Sequence, residues 1–159
     1  MAGRGSGALE KKRSYKRPES VLVVVFTAQG DFLLLRRTEP STFWQSVTGS
    51  LKRGETPRRA ALRELWEETG ISDRAALLDL GQVVRFPILP AWRKRYAPGV
   101  HYNREHWFAL PLKHRRLIRR NPKEHSEHRW LPAHRAAATA TSWTNRDAIL
   151  ALSAVVWKA

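Results

Sequence analysis

The sequence predicts a single domain of the α/β class. β-branched and apolar segments of strand length recur along the chain. Two segments with helix start and stop signals are set among and after them, enough to cover both faces of one sheet. The 159 residues, 42% of them hydrophobic, suffice for one core burying roughly 70% of the unfolded surface. No internal repeat or second domain is visible.

Taken in order, Val21 to Phe26 is a run of β-branched and apolar residues, six long, and reads as a buried strand. Gln29-Gly30-Asp31 supplies a turn, and Phe32 to Leu35 returns as a second strand ending in Arg36-Arg37. Gln45 to Thr48 suits a short third strand. Thr56-Pro57 has the chemistry of a helix start, Thr as N-cap and Pro at the first helical position, where its missing N–H costs nothing. That helix runs to about Thr69 and stops at Gly70. Leu80 to Ile88, His106 to Leu110 and Arg129 to Leu131 follow as strands. Thr144 or Asn145 is placed to cap a last helix through about Val156.

Charge narrows the partners. There are 29 Lys and Arg against 14 Asp and Glu, a net charge of +15 and a sequence pI near 11.3. Such a balance favours anions: nucleic acid, polyphosphate or an acidic surface. Residues 1–17 carry Arg4, Lys11, Lys12, Arg13, Lys16 and Arg17 against Glu10 alone. Gly- and Ser-rich and poor in large apolar residues, residues 1–14 read as a basic flexible arm before a domain spanning 15–157. The apolar run at Val21 is too short and too late for a secretory signal, and nothing approaches a membrane span. With no cysteine, a disulfide framework and a thiolate metal site are excluded. A soluble, cytoplasmic protein is expected.

The informative segment is Gly49 to Glu55 followed by Arg63 to Ile71. On a helix Glu64, Glu67 and Glu68 stand at i, i+3 and i+4 and share a face, with Ala61, Leu62 and Leu65 opposite at core spacing. Like charges at this spacing repel, so a face that gathers acid in so basic a chain points to a cation held between carboxylates. Oxygen ligands and no cysteine favour a hard ion, Mg²⁺ first with Mn²⁺ as substitute. Arg63 sits beside the acids and can hold them in place. By itself an E-x-x-E-E stretch is more often a solvated face. The whole pattern is less ordinary: Gly-x5-Glu-x7-Arg-Glu-U-x-Glu-Glu-x-Gly-U, with U apolar, is matched at every position by residues 49–71. Its seven fixed letters would coincide on the order of once in 10⁸ starting positions.

This pattern resembles the signature of the Nudix hydrolases. The resemblance implies an α/β/α sandwich around a mixed sheet and Mg²⁺-dependent hydrolysis of a diphosphate-linked compound. It further implies Glu64 and Glu68 as principal metal ligands assisted by Glu67, with the Gly49–Glu55 loop bringing a backbone carbonyl and Glu55 to the site. The flanks Tyr15-Lys16-Arg17-Pro18, Phe43 to Gly49, Arg95 to Val100 and Ser142 to Arg146 are similar to the bacterial branch that removes pyrophosphate from 7,8-dihydroneopterin triphosphate in folate synthesis. That branch also accepts nucleoside triphosphates, dATP among them.

Carried over by motif, the resemblance implies substrate contacts from Lys16, Arg36, Thr48 and Ser142, with Phe86 and Ile88 lining a ring pocket. Lys16 and Arg36, expected to end adjacent strands, suit phosphate oxygens. Phe86 and Ile88 serve equally well as strand core, and Ser142 as a turn hydroxyl before a helix. A further metal carboxylate or general base is expected just before Trp130-Leu131. Glu124 is the match and Glu127, three residues on, the alternative. His125 and His128 read as surface histidines, not ligands. The basic stretch Lys113 to Arg120 reads as a solvated loop or helix end. The expected protein is a monomeric enzyme acting on a small-molecule triphosphate, with incidental RNA binding through its charge. The competing activities are a general (d)NTP pyrophosphatase, an RNA 5′-end pyrophosphohydrolase, and a noncatalytic nucleic-acid-binding protein. The last does not need the acid set.

Overall fold

The computed structural model describes residues 14–156; the expectation of a flexible arm falls almost wholly outside them. Seven strands form one mixed sheet: β1 (Glu19–Thr27), β2 (Asp31–Arg37), β3 (Trp44–Gln45), β4 (Val47–Ser50), β5 (Leu78–Pro87), β6 (Tyr102–Leu112) and β7 (His125–Pro132). Three helices, α1 (Pro57–Thr69), α2 (Ala133–Thr139) and α3 (Trp143–Val156), cover its faces. The strand β1 is buried along nearly its whole length because helices lie on both sides, which is why its sequence is continuously apolar rather than alternating.

Its side chains divide by parity. Val21, Val23 and Val25 join Leu33 and Leu35 of β2 against Ala60, Ala61 and Leu65 of α1. Leu22, Val24 and Phe26 join Phe32 and Leu34 against Ala136, Ala137, Ala148 and Ile149 of α2 and α3. Each large aliphatic side chain so buried stabilises the fold by roughly 1.5–3 kcal/mol. The expected α/β/α sandwich is present.

The sheet opens where the site will lie. β1 runs parallel to β6 from Glu19 to Thr27 on one edge. On its other edge it pairs with β2 only near the turn, at Phe26 and Phe32, after which the two strands part. The 44–50 segment fills that fork, β3 bonding to β2 and β4 to β1. Between them Ser46 is pinned from α3: its N–H donates to Asn145 Oδ1 at 2.7 Å, and its hydroxyl accepts from Asn145 Nδ2 at 2.8 Å.

The helix α1 starts and stops as its residues dictate. Thr56 accepts from the Arg59 N–H, and Gly70 takes the left-handed conformation at φ 77°. The last helix differs from expectation. Its cap is Ser142, whose hydroxyl accepts from the Asn145 N–H at 3.2 Å, while Thr144 and Asn145 are buried inside the first turn. The short α2 and a 3₁₀ segment at Pro90–Arg95 carry no side-chain cap, and no start signal marked them. The basic 113–120 stretch is a loop tied down at several points: Arg115 to Asp31, Arg116 to Asp73, Arg119 over the Trp66 ring, and Ile118 in the core. No described helix is long and apolar enough to cross a membrane.

Candidate active site

The fork between β1 and β2 is the floor of a cavity of about 760 Å³, a size suited to a small organic ligand. Two of the three acids at the E-x-x-E-E spacing reach it. Glu64 and Glu68, one turn apart, lie on the buried side of α1 together with Ala60, Ala61 and Leu65. Glu67 points outward, its side chain 45% exposed and bonded to Arg63. The shared acidic face expected from spacing is therefore a buried pair plus one outer carboxylate, and the pair lies beside the apolar positions rather than opposite them.

Glu68 is 2% exposed and accepts the Thr48 N–H at 3.1 Å. Burial pushes its carboxyl well above the ordinary range, and the Glu64 charge pushes it further. Glu64 is raised to about 7, chiefly by burial, against the opposing hydrogen bond from Arg63. Gly49 in β4 makes room for this: a Cβ there would overlap the Glu64 carboxyl group.

Arg63 sits behind the acids rather than in the cavity. Its guanidinium grips Glu55 through two 2.8 Å bonds, holds Glu64 at 2.6 Å, and donates to the Ser50 carbonyl at 3.0 Å. Glu55 also accepts the Lys52 N–H, and the Arg63 bonds hold its carboxyl down at about 2. Committed in this way, Glu55 does not line the cavity and reaches the site only through Arg63.

Cations line the other side. Lys16 lies just before β1, in no strand, with its N–H bonded to the Arg95 carbonyl. Lys16, Arg37 and Arg95 all line the cavity. Burial and the neighbouring arginines depress both Lys16 and Arg37. Arg36 is elsewhere: it bonds to the Ser41 carbonyl and to Glu127 and lies over Trp44. Alternation along β2 explains the exchange, since Arg37 shares parity with Leu33 and Leu35, which face α1. Counting by twos from those leucines would have selected Arg37. Alternation does not mark Arg95, which opens one of the resembling flanks and arrives on the 3₁₀ segment.

The loop before β7 completes this end. Glu124 lines the cavity; Glu127 pairs with Arg36 and Arg129 outside it. His125, expected at the surface, is 2% exposed, with Nε2 3.3 Å from Gln45 Nε2 and no partner for Nδ1 among the described residues. Burial, with Arg37 nearby, lowers it to about 4, so the ring is neutral at physiological pH. Ligating atoms of Glu68, Glu124 and His125 lie within 4.8 Å of one another. Buried carboxylates driven toward protonation and an oxygen-rich donor set fit a hard divalent cation, for which the carboxylates and not the imidazole are the suitable donors.

The remaining expected residues also line the cavity. Thr48 does so with its hydroxyl committed to the Val21 carbonyl at 2.9 Å. Phe86 of β5 and Ile88 just past its end form part of one wall, Ile88 buried, and Ser142 contributes from the α3 cap. A buried acid pair and facing cations on this sandwich describe a diphosphate-handling site. The NUDIX domain matches residues 16–152, and the chain belongs to that family of hydrolases.

Within it, the chain is 46% identical over 143 residues to the dihydroneopterin triphosphate diphosphatase of Escherichia coli, covering 87% of this chain and 94% of the relative. To the Haemophilus influenzae protein of the same name it is 37% identical, covering 85% and 87%. The structure of the E. coli dihydroneopterin triphosphate pyrophosphohydrolase superimposes with a TM-score of 0.83 at 45% identity, covering 91% of this chain and 99% of that one.

Proposed function

We propose that this chain hydrolyses 7,8-dihydroneopterin triphosphate to dihydroneopterin monophosphate and pyrophosphate, with Mg²⁺ held by Glu64, Glu68 and Glu124. The observation that carries the reading is one cavity that sets Lys16, Arg37 and Arg95 against buried Glu64 and Glu68 and continues into an apolar wall at Phe86 and Ile88. Resemblance to relatives of that name over nearly their whole length supports the substrate.

The chain's residues divide the work. Lys16, Arg37 and Arg95 bind the phosphate oxygens, and the arginines can do so bidentately. Phe86 and Ile88 hold the ring end. Arg63, locked by Glu55, keeps the Glu64 carboxylate in place. Bound between the acids, a divalent ion would neutralise the diphosphate and acidify the attacking water. Water attacks the α-phosphorus, the bond to the bridging oxygen breaks, and pyrophosphate leaves with its charge met by the cations of the cavity.

The test is a hydrolysis panel with Mg²⁺ in ¹⁸O-labelled water, comparing dihydroneopterin triphosphate with the common (d)NTPs. The expected result is the highest kcat/KM for the pterin, with label in the monophosphate and none in pyrophosphate. A higher kcat/KM for dATP would make the chain a nucleotide pyrophosphatase. Label in pyrophosphate, or orthophosphate as first product, would overturn the α-attack.

A further inference from the structure

The inner end of the cavity carries two buried acceptors that phosphate handling does not use. In the β5–β6 pairing Phe86 stands opposite Asn103 and Val84 opposite Glu105, so the apolar wall and these two polar side chains share one face of the sheet. Asn103 is 3% exposed and lines the cavity. Its amide N–H donates to Ser20 Oγ at 2.7 Å, while its Oδ1 has no partner among the described residues. Glu105 is 5% exposed and also lines the cavity. It accepts the Trp107 indole N–H at 3.0 Å and the Thr144 hydroxyl, and no lysine or arginine among the described residues forms an ion pair with it. A carboxylate has about four acceptor sites, so two remain open. Asn103 Oδ1, without a partner and this deeply buried, is costly unless a ligand supplies a donor, and Glu105 beside it has acceptor capacity to spare.

We propose that Glu105, with Asn103 Oδ1 beside it, reads the 2-amino-4-oxopyrimidine edge of the substrate ring. That edge presents two parallel N–H donors, the 2-amino group and the adjacent ring N3–H, which a carboxylate can accept as a pair. Phe86 and Ile88 would flank the ring. Glu105 pairs with Ser20 across β6 and β1, and Ser20 with Ser50 across β1 and β4. In the plane of the sheet Glu105 therefore lies two strands, about 10 Å, from Ser50 on the α2–α3 face, while Glu64 lies on the α1 face; both border the same cavity, which opens at the fork. A ring held there leaves its C6 chain and triphosphate to run toward the acids. The inference rests on the proposed pterin substrate and names what would select it.

The test uses the full chain and begins with ring ligands alone. Dihydroneopterin is compared by fluorescence titration with the lumazine that carries the same trihydroxypropyl chain, in which a 2-oxo group replaces the 2-amino group. Tighter pterin binding by tenfold or more is expected, because the 2-oxo group sets an acceptor against acceptors; equal affinity would overturn the inference. In Glu105→Gln the preference should collapse. KM for dihydroneopterin triphosphate should rise about tenfold with kcat within about threefold, while inhibition by pyrophosphate, which binds the other end, is unchanged. Loss of kcat and pyrophosphate binding together would mean that Glu105 only ties α3 to β6, and would overturn the assignment. Should the variant not fold, the wild-type ligand pair decides. Wild type that selects the pterin but does not hydrolyse its triphosphate would refute the proposed activity and leave this inference standing. Hydrolysis without ring selection would do the reverse.

Discussion

Gly49→Ala separates the geometry of the acid pair from its mere presence. Gly49 is not in the left-handed region, so the backbone accepts alanine there. What it lacks is space, because the new Cβ would occupy the position of the Glu64 carboxyl group. Ordinary contact begins at 3.4 Å, so that carboxyl must retreat by more than 1 Å, and a misplacement of even ~1 Å costs about 100-fold in rate. Overpacking should add a stability loss of about 1–3 kcal/mol, or roughly 2–10 °C in Tm for a chain of this length. The assay is pyrophosphate release at saturating Mg²⁺ and substrate, with Tm read alongside by circular dichroism. Gly54→Ala serves as control: it strains a φ of 73° but meets nothing within 4 Å, so it should lose about 1 kcal/mol and keep kcat. If Gly49→Ala retains kcat within about threefold of wild type, Glu64 does not act from the place the structure gives it.

Arg37→Ala should raise KM for the triphosphate by about 10–100-fold, the loss of one charged hydrogen-bonding group, and Arg36→Ala by less than about twofold. The reverse order in steady-state kinetics would return the phosphate contact to Arg36. Glu124→Gln should lower kcat more than tenfold whereas Glu127→Gln, which only loosens an exposed pair with Arg36 and Arg129, should not. Equal effects would remove the distinction drawn from the cavity. Glu19 is held below the ordinary carboxylate range, first by the His106 hydrogen bond and then by Arg17. Its stabilisation is thus present above its unfolded value near 4.5 and lost as pH falls through the lower folded value. In urea titrations Glu19→Gln should be less stable than wild type by about 1 kcal/mol at neutral pH, and the gap should close as pH falls below the unfolded value and through the lower folded one. A gap independent of pH would mean that shape, not charge, is what Glu19 contributes.

Much of this protein is legible in its sequence. Local chemistry determines α1: Thr56, Pro57 and Gly70 delimit it through bonds made within a few residues, and its boundaries came out as read. The strands with dense apolar composition emerge for the same reason, and the full pattern of residues 49–71 carries the resemblance to the family. Whatever depends on which face a residue presents after the chain has folded back was not legible. Spacing put Glu67 with Glu64 and Glu68, but packing of α1 on β1 and β4 buries only the latter two. Arg36 and Arg37 are adjacent letters; the pleat of β2 sends Arg37 to the cavity and Arg36 to Glu127. The burial of His125 is not legible locally, because it comes from β7 pairing with β2 and from the Gln45 side chain of β3, not from the tripeptide around it. The fork between β1 and β2, which makes the cavity at all, needs residues nearly a hundred positions apart: Asn145 holds Ser46 in the wedge. Composition and short-range bonding select the elements and the chemistry, whereas long-range packing chooses which side chains meet.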